Sequence, residues 1–281
     1  MKMIKNCTYK TIAGDRYEAK IHLDPYNSRA RLLDYQGDAN KTVEELKRIC
    51  RKHGFGKLIC MAYRRDQPVL LDNGLVSEGE IDGYFKGETA VCLSYFFDLQ
   101  RQISGYLEKE DEIIAYCAKY QQQGDLQEES DSLRTAGKED AGQIARLMAE
   151  VFPDYPTPMD DPEYIQKMMD EDVLFKMIEI DGKLVSIASA DMSPKFLNAE
   201  ITDCATHPSF RGKGCLNKLI FALERDLKRM GYITAFSLAR ARSYGMNIVL
   251  SKHGYEYGGR HINNCRIMNG FEDMNIWAKR L

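Results

Sequence analysis

Hydrophobic and polar positions alternate with two different periods along the second half of the chain. Apolar residues recur at helical spacing over residues 138–151, and residues 161–171 can form a second short helix. Two strand-like runs, residues 173–180 and 183–191, flank the Asp-Gly pair at 181–182, which is typical of a two-residue hairpin turn. The pattern therefore predicts two helices followed by a β-hairpin.

The same alternation continues towards the C-terminus. Residues 199–207 predict a strand that ends at Pro208, because proline cannot donate to the ladder of a sheet. After a glycine-containing turn, residues 216–230 carry apolar side chains at helical spacing, and Gly231 predicts the end of this helix. A further strand, a helix and a terminal strand pair are predicted at residues 233–239, 243–253 and 255–281.

The first part of the chain repeats part of this layout. Residues 51–62 contain a helix end, a glycine and a strand-like run in the same order as residues 228–239. Residues 73–81 are similar to residues 253–259 in the same way. We interpret the first part as a partial, degenerate copy of the second, although two independent α/β units built from common turns would produce the same similarity.

A polar segment separates the two parts. Residues 119–132 contain Leu126 as their only aliphatic side chain, which is too little apolar surface to order the segment. We therefore predict an N-terminal α/β domain at residues 1–125 and a second domain at residues 133–281. A chain of 281 residues is long enough for two small domains that each bury a core.

Composition and charge exclude several classes of protein. With 44% hydrophobic and 29% charged residues and a formal net charge of -3, the chain is composed like a soluble globular protein, and nothing suggests a nucleic-acid partner. No segment reads as a secretory signal or a membrane span, so a cytoplasmic protein is expected. The eight cysteines lie far apart, which predicts neither a metal site nor a disulfide framework.

The turn Arg211-Gly212-Lys213-Gly214 joins a predicted strand to a predicted helix. Free backbone N–H groups at the start of a helix bind a pyrophosphate, and the two glycines allow its close approach. Arg211 and Lys213 add positive charge. An ordinary turn with surface cations would have the same residues, but the position between strand and helix favours an anion site.

Residues 203–214 read Asp-Cys-Ala-Thr-His-Pro-Ser-Phe-Arg-Gly-Lys-Gly and resemble motif A of the GNAT superfamily of N-acetyltransferases. The predicted order of helix, helix and hairpin agrees with that family's fold, as does the Lys-His-Gly-Tyr run at 252–255. The resemblance implies an α/β (α+β) fold with a mixed, mostly antiparallel sheet, flanking helices and acetyl-CoA as acyl donor. In that family the strand before the turn splays from its neighbour, and the gap admits the pantetheine arm.

The resemblance also implies which residues bind acetyl-CoA. They are Ala205, Thr206 and His207 at the acyl end, Arg211, Gly212, Lys213, Gly214, Cys215 and Asn217 at the pyrophosphate, and Asn247 at the pantetheine or in a local cap. Leu216 occupies a position where the family has Gly or Ala, so we expect binding through the amides of residues 212–215. Leu250 stands where many members carry a tyrosine that protonates the leaving thiolate. The N-terminal domain lacks a glycine turn and is expected to bind no cofactor.

Acyl transfer requires a neutral amine, and an amine of pKa about 10.4 costs about 4.6 kcal/mol to deprotonate at pH 7. Strand alternation predicts Asp203 on one face of its strand and Glu200 on the other. Either carboxylate is a candidate general base, directly or through water, or a partner for a second ammonium group; local pairing is the alternative. A thiolate of pKa about 8.5 needs modest protonation help, for which Ser243, Tyr244 and water are candidates.

Three further segments, residues 238–247, 263–264 and 272–277, resemble the β-lysine N-acetyltransferase subfamily. The resemblance spans nearly the whole chain and implies acetylation of the terminal (N6) amine of β-lysine to Nε-acetyl-β-lysine, a compatible solute. Arg240 is then a candidate for the substrate carboxylate, and Asn263 or Asn264 for its amino groups.

Several alternatives stay open at this point. The acceptor can be another amine, such as lysine, a polyamine or a protein N-terminus. A non-catalytic acyl-CoA-binding sensor is also compatible with the absence of the usual tyrosine. Arg240 and Arg242 can form a solvated loop pair. A small-molecule partner is expected, and a homodimer is left open.

Overall fold

A thirteen-stranded sheet runs through the described part of the chain, which comprises residues 7–120, 132–267 and 270–281 of a computed structural model. Its strands are β1 (Thr8–Gly14), β2 (Tyr17–Asp24), β3 (Arg29–Gly37), β4 (Lys57–Tyr63), β5 (Val76–Phe85), β6 (Glu88–Phe96), β7 (Leu133–Thr135), β8 (Val173–Ile180), β9 (Lys183–Ser193), β10 (Asn198–Thr206), β11 (Thr234–Arg240), β12 (Glu256–Ile267) and β13 (Gly270–Arg280). The α-helices are α1 (Ala39–His53), α2 (Gln67–Asp72), α3 (Leu107–Cys117), α4 (Ala141–Val151), α5 (Pro162–Asp170), α6 (Cys215–Arg229) and α7 (Tyr244–Lys252).

The strand order across the sheet is β1-β2-β3-β4-β6-β5-β12-β13-β11-β10-β9-β8-β7. Two neighbouring pairs, β3 with β4 and β10 with β11, are parallel. The other recorded pairs are antiparallel. The predicted mixed, mostly antiparallel sheet with flanking helices is therefore confirmed.

The elements of the second half follow the predicted pattern closely. Asp181 and Gly182 both have positive φ values, 52° and 70°, which is the conformation that a two-residue hairpin between β8 and β9 requires. Gly231, at φ 87°, follows the end of α6 as expected. The predicted boundary segment lies mostly in residues 121–131, outside the described residues, and the boundary stays a prediction.

The six strands of the first half have the same order and orientations as β8 to β13. Hairpins join β1 to β2 and β2 to β3, as they join β8 to β9 and β9 to β10. A 15-residue helix, α1 or α6, then crosses over to a parallel neighbour. The last two strands pair with each other in both halves. The repeated unit is thus more complete than the partial copy that the sequence suggested.

The two halves join where β5 pairs with β12 through Gly79 and Gly259. A Cβ atom on Gly79 would lie 2.3 Å from the carbonyl oxygen of Gly258, and one on Gly259 would lie 2.4 Å from that of Glu78. Only glycine permits this backbone approach. The sheet therefore passes from one half to the other without a break.

Four hydrophobic layers position the halves. Helix α1 covers one face of the N-terminal strands, and α6 and α7 cover one face of the C-terminal strands. Helices α4 and α5 pack on the opposite face of β8 and β9. A fourth layer lies between the halves and includes Met61 and Phe85 from the first half and Phe236 and Ile276 from the second. Side chains of the two halves therefore pack against each other in this layer.

Helix α3 precedes the predicted domain boundary but packs in the core of the second half. Ile113 and Cys117 of this helix are fully buried there, and Ser251 of α7 donates its hydroxyl hydrogen to the Cys117 carbonyl at 2.7 Å. The described helices include none with a run of apolar residues long enough to cross a membrane.

Candidate active site

A cavity of about 800 Å³ opens between the two halves of the sheet. The first half contributes Tyr9, His22, Asp24, Arg29 and Arg31. The second half contributes Asp191, Glu200, Asp203, Arg240 and Ser243, together with the start of α6. The cavity therefore connects the glycine turn with polar side chains of both halves.

A gap between β10 and β11 forms one end of this cavity. The two strands pair only from Asn198 to Glu200, although β10 continues to Thr206 and β11 to Arg240. Ser237 then donates its hydroxyl hydrogen to the carbonyl of Ile201 at 2.8 Å, and both residues line the cavity. The strands splay as the family resemblance implied.

The glycine turn presents an open anion site at the start of α6. Gly212 and Gly214 have φ values of 76° and 77°, and a Cβ at either position would meet nothing within 4 Å. The first N–H groups of a helix have no partner inside the helix. Helix α6 begins at Cys215 without a side-chain cap, so no capping side chain occupies these groups. The turn fits a pyrophosphate. Lys213 is not among the residues that line the cavity, and its ammonium lies 4.6 Å from the Phe210 ring centroid.

Of the three residues predicted at the acyl end, Thr206 lines the cavity and two do not. Ala205 is buried beneath α4, where its side chain belongs to the core. His207 accepts the N–H of Ser209 through Nδ1 at 3.2 Å, and its Nε2 lies 3.0 Å from Glu150. These side-chain contacts are internal to the protein, and the placement of Ala205 and His207 at the acyl end stays a prediction.

Asn247 and Asn263 are also placed outside the cavity lining. Buried Asn247 donates to the carbonyl of Ser243 at 2.7 Å and accepts the indole N–H of Trp277 at 2.8 Å. Asn263 donates through Nδ2 to the carbonyl of Arg101 at 3.0 Å. The bonds of Asn247 match the local cap that was the alternative to a pantetheine contact. The contact of Asn263 with substrate stays a prediction.

Arg240, Asn264 and Ser243 do line the cavity, but the first two have internal partners. Arg240 forms a two-pronged pair with Glu272, at 2.7 and 2.6 Å. Asn264 accepts Arg29 through its carbonyl at 2.9 Å and its Oδ1 at 3.0 Å. Half-buried Ser243 lies at the start of α7. Their roles in binding and catalysis stay predictions.

A break in β10 changes which side chains share a face. Asp203 adopts a left-handed φ of 47°, and the register with β9 shifts between Thr202 and Ala205. As a result Ile201 packs beneath α6, whereas Ala205 packs beneath α4. Asp203 and Glu200 both line the cavity, so the predicted placement on opposite faces is wrong.

Carboxylates dominate the charge of the cavity near this break. Desolvation raises the pKa of Glu200 to about 7, with nearby Arg31 opposing the rise and Asp191 and Asp203 adding to it. Desolvation also raises the pKa of Asp191 to about 6, although its side chain remains open to the cavity. These groups can exchange protons near neutral pH.

Asp203 is held by two hydroxyl groups. Ser189 donates to its Oδ2 at 2.8 Å, and Tyr155 donates to its Oδ1 at 3.1 Å. Burial raises the pKa of Asp203, and these two hydrogen bonds oppose the rise. Its carboxylate is therefore oriented, whereas Glu200 has no hydrogen-bond partner among the described residues.

Leu250, at the position of the family's usual tyrosine, is fully buried between α7 and the sheet and carries no hydroxyl group. Cys204, one of the cysteines that line the cavity, donates to the carbonyl of Thr202, and burial raises its thiol pKa. Within the described ranges, no group of three His, Cys, Asp or Glu side chains is arranged to hold a metal ion.

Sequence reasoning missed the contribution of the first half. Along β2 and β3, cavity residues His22, Asp24, Arg29 and Arg31 alternate with buried apolar neighbours such as Leu23. This alternation of charged and apolar positions was a readable signal of a polar inner face. What it faces depends on how the sheet folds, which local patterns do not specify.

A splayed parallel strand pair, followed by an open glycine turn at a helix start, is the arrangement of an acyltransferase of the GNAT type. Residues 142–246 match the Acetyltransferase (GNAT) family. The chain is 38% identical over 276 residues to the N-acetyltransferase YodP of Bacillus subtilis, covering 97% of this chain and 99% of that protein.

Two archaeal relatives carry a more specific name. The Beta-lysine N(6)-acetyltransferase of Methanosarcina mazei is 37% identical, covering 89% of this chain and 100% of that protein. The protein of the same name from Methanococcus maripaludis is 30% identical, covering 92% and 95%. The chain belongs to the GNAT acetyltransferase family and is an acyltransferase.

Proposed function

We propose that this protein transfers the acetyl group of acetyl-CoA to the N6 amine of β-lysine, in the cytoplasm, and that the product serves as a compatible solute. The names of two relatives that match nearly along their whole length support the substrate. The observation that carries the proposal is the cavity, which places carboxylates and a guanidinium beside the gap between β10 and β11.

The acyl donor fits the end of the cavity nearest α6. The amides around Gly212 and Gly214 and the start of α6 would hold the pyrophosphate, with Arg211 and Asn217 beside it. The gap between β10 and β11 would take the pantetheine arm. When bound, acetyl-CoA supplies an activated thioester carbonyl, and the protein's task is to deliver a neutral amine to it.

Glu200 is the residue that we assign as general base. Its pKa near 7 suits a general base that must accept a proton from the substrate ammonium near neutral pH. The amine nitrogen forms the new C–N bond as the C–S bond breaks, and the proton lost by nitrogen passes to Glu200, directly or through water. Asp203, oriented by Ser189 and Tyr155, is assigned to holding the amine in place.

The departing thiolate needs a proton from another source than the family's tyrosine, because Leu250 occupies that position. Ser243 lines the cavity at the start of α7, and we assign it as the candidate proton donor for the thiolate. A thiol pKa of about 8.5 means that water is also sufficient. Neither route requires a metal ion.

A panel of amines tests this assignment. The purified protein is incubated with acetyl-CoA and β-lysine, α-lysine, polyamines or peptides, and thiol release is measured. We expect the highest kcat/KM with β-lysine. A higher kcat/KM with another amine would contradict β-lysine as the substrate and identify that amine instead. No thiol release with any amine, despite CoA binding, would favour a non-catalytic acyl-CoA sensor.

A further inference from the structure

Arg31 differs from the other arginines of the cavity in lacking a partner. Arg29 pairs with Asp24 at 2.9 Å, and Arg240 pairs with Glu272 at 2.6 Å. Arg211 donates to the carbonyl of Thr206 at 3.3 Å. Arg31 has no hydrogen bond, and no carboxylate within 4.0 Å, among the described residues. A half-buried guanidinium with five unused donors is suited to an external anion.

Arg31 occupies the position in the first half that corresponds to Glu200 in the second half. Among the residues of β3 that pair with β4, Arg31 is the third. Among the residues of β10 that pair with β11, Glu200 is the third. Across the preceding hairpins, Arg31 pairs with His22 and Glu200 pairs with Asp191. Arg31 and its equivalent Glu200 therefore carry opposite charges, and all four residues line one cavity.

The charges near Arg31 favour a ligand that carries both signs. Glu200 and Asp191 form no ion pair within 4.0 Å among the described side chains, although Arg31 acts electrostatically on both. His22 does not share the positive charge, because desolvation and the charge of Arg31 lower its pKa to about 4. An anionic group of the ligand would form an ion pair with Arg31, and an ammonium group of the same ligand would form one with Glu200.

We propose that Arg31 binds the carboxylate of the acceptor, so that the N-terminal half supplies the residue that selects an amino acid over a simple diamine. This inference rests on the proposed function and names the recognition residue of the same site. A guanidinium fork binds a carboxylate through two parallel hydrogen bonds, which gives direction as well as affinity. The carboxylate held by β3 then aims the far amine towards β10.

Paired acceptors test the proposal. β-Lysine and 1,4-diaminopentane have the same two amines, but only β-lysine has a carboxylate. Because the loss of Arg31 also raises the pKa of Glu200, the assay is run at pH 9, where the base stays ionised. For Arg31→Gln we then expect kcat/KM with β-lysine to fall about 10- to 100-fold, mainly through KM, and kcat/KM with 1,4-diaminopentane to stay within about twofold. Arg31→Lys keeps the charge but loses the fork, so an intermediate loss with β-lysine is expected.

Two controls separate a binding role from a structural one. Arg51→Gln removes an exposed arginine from the same half and should leave both acceptors unaffected. Arg31→Gln should keep the wild-type Kd for acetyl-CoA, which reports an intact second half. An equal loss with both acceptors, or no loss with β-lysine, would overturn the role of Arg31 while leaving the proposed function standing. Failure of the wild type to acetylate β-lysine would overturn the proposed function itself.

Discussion

Glu200 and Asp203 share one cavity because a single residue interrupts the alternation of β10. Without the left-handed φ of Asp203, regular pleating would place the two carboxylates on opposite faces of the strand. With this left-handed residue in the strand, two hydroxyl donors orient Asp203. Glu200 has no hydrogen bond to the described residues. The two acids thus have different environments, which suits an orienting role for one and a proton-accepting role for the other.

Replacing Glu200 tests this division of roles. A base must be ionised, so kcat/KM of the wild type should fall as the pH drops below about 7, the pKa of Glu200. In Glu200→Gln we expect kcat to fall by about 10² to 10³ and this acidic decline to disappear. The measurement is kcat/KM for the acceptor between pH 5.5 and 9.

Neighbouring acids provide the comparison for that profile. Asp191 raises the pKa of Glu200, so Asp191→Asn should keep the decline but move it to lower pH. Asp203→Asn should lower activity without removing the decline. If Glu200→Gln kept the wild-type profile and Asp203→Asn lost it, Asp203 would be the base.

At the scale of elements, the two crossover helices begin in opposite ways. Helix α1 is capped by Asp38, whose carboxylate accepts the N–H of Lys41 at 3.1 Å. Helix α6 begins after Gly214, with no side chain on its first N–H groups. A carboxylate and a phosphate compete for the same helix end. This difference supports acetyl-CoA binding at α6 and argues against a second cofactor at α1.

A matched pair of substitutions tests the start of α6. Gly214→Asp and Gly214→Asn add side chains of the same shape at φ 77°, so both share the strain of a left-handed backbone. Only the aspartate adds negative charge. We expect Kd for acetyl-CoA to be at least about tenfold weaker for Gly214→Asp than for Gly214→Asn, measured by calorimetry. Equal Kd values would contradict a pyrophosphate at this turn.

Local patterns predicted the elements and the position of the open glycine turn, because each depends on neighbours in sequence. The turn at Gly212 and Gly214 lies between a strand and a helix, and periodicity identifies both. The acceptor end was not predictable in the same way. As we propose it, the acceptor end depends on the left-handed Asp203 and on Arg31, which reaches the cavity only because the sheet folds on itself.

At the scale of the whole molecule, a buried ionic network holds the halves in the geometry that the cavity requires. Lys57 is fully buried, donates to Glu78 at 2.8 Å, and also bonds the carbonyl of Ile262 at 2.7 Å. His261 Nδ1 lies 2.7 Å from the same carboxylate. Glu78 belongs to β5 and His261 to β12, so the network spans the joint between the halves.

Removing one member of this network should destabilise the entire fold. Glu78→Gln leaves the Lys57 ammonium buried without its counter-charge, and we expect a loss of about 3 to 5 kcal/mol in the free energy of unfolding. Glu80 lies in the same strand as Glu78 and forms an exposed ion pair with Arg64. Glu80→Gln breaks this pair and should change the free energy of unfolding by less than about 1 kcal/mol. Urea denaturation measures both variants. Similar stability of the two would contradict a supporting role for the joint.

The same network predicts how stability changes with pH. Although burial opposes ionisation, Lys57 and His261 lower the pKa of Glu78 to about 2. A depressed carboxyl pKa contributes stability above the unfolded value of about 4.3, which is lost as the pH falls towards 2. Glu78→Gln should therefore show a smaller loss of stability than the wild type between pH 4.5 and 2.5.

We propose that one cavity, built by both halves, delivers the far amine of β-lysine to the thioester. The most direct measurement is the product formed from acetyl-CoA and β-lysine, with the acetylated nitrogen assigned by NMR. We expect a single product, acetylated at N6, with one thiol released per acetyl group transferred. Acetylation at the amine beside the carboxylate, or no acetylation of β-lysine at all, would contradict it.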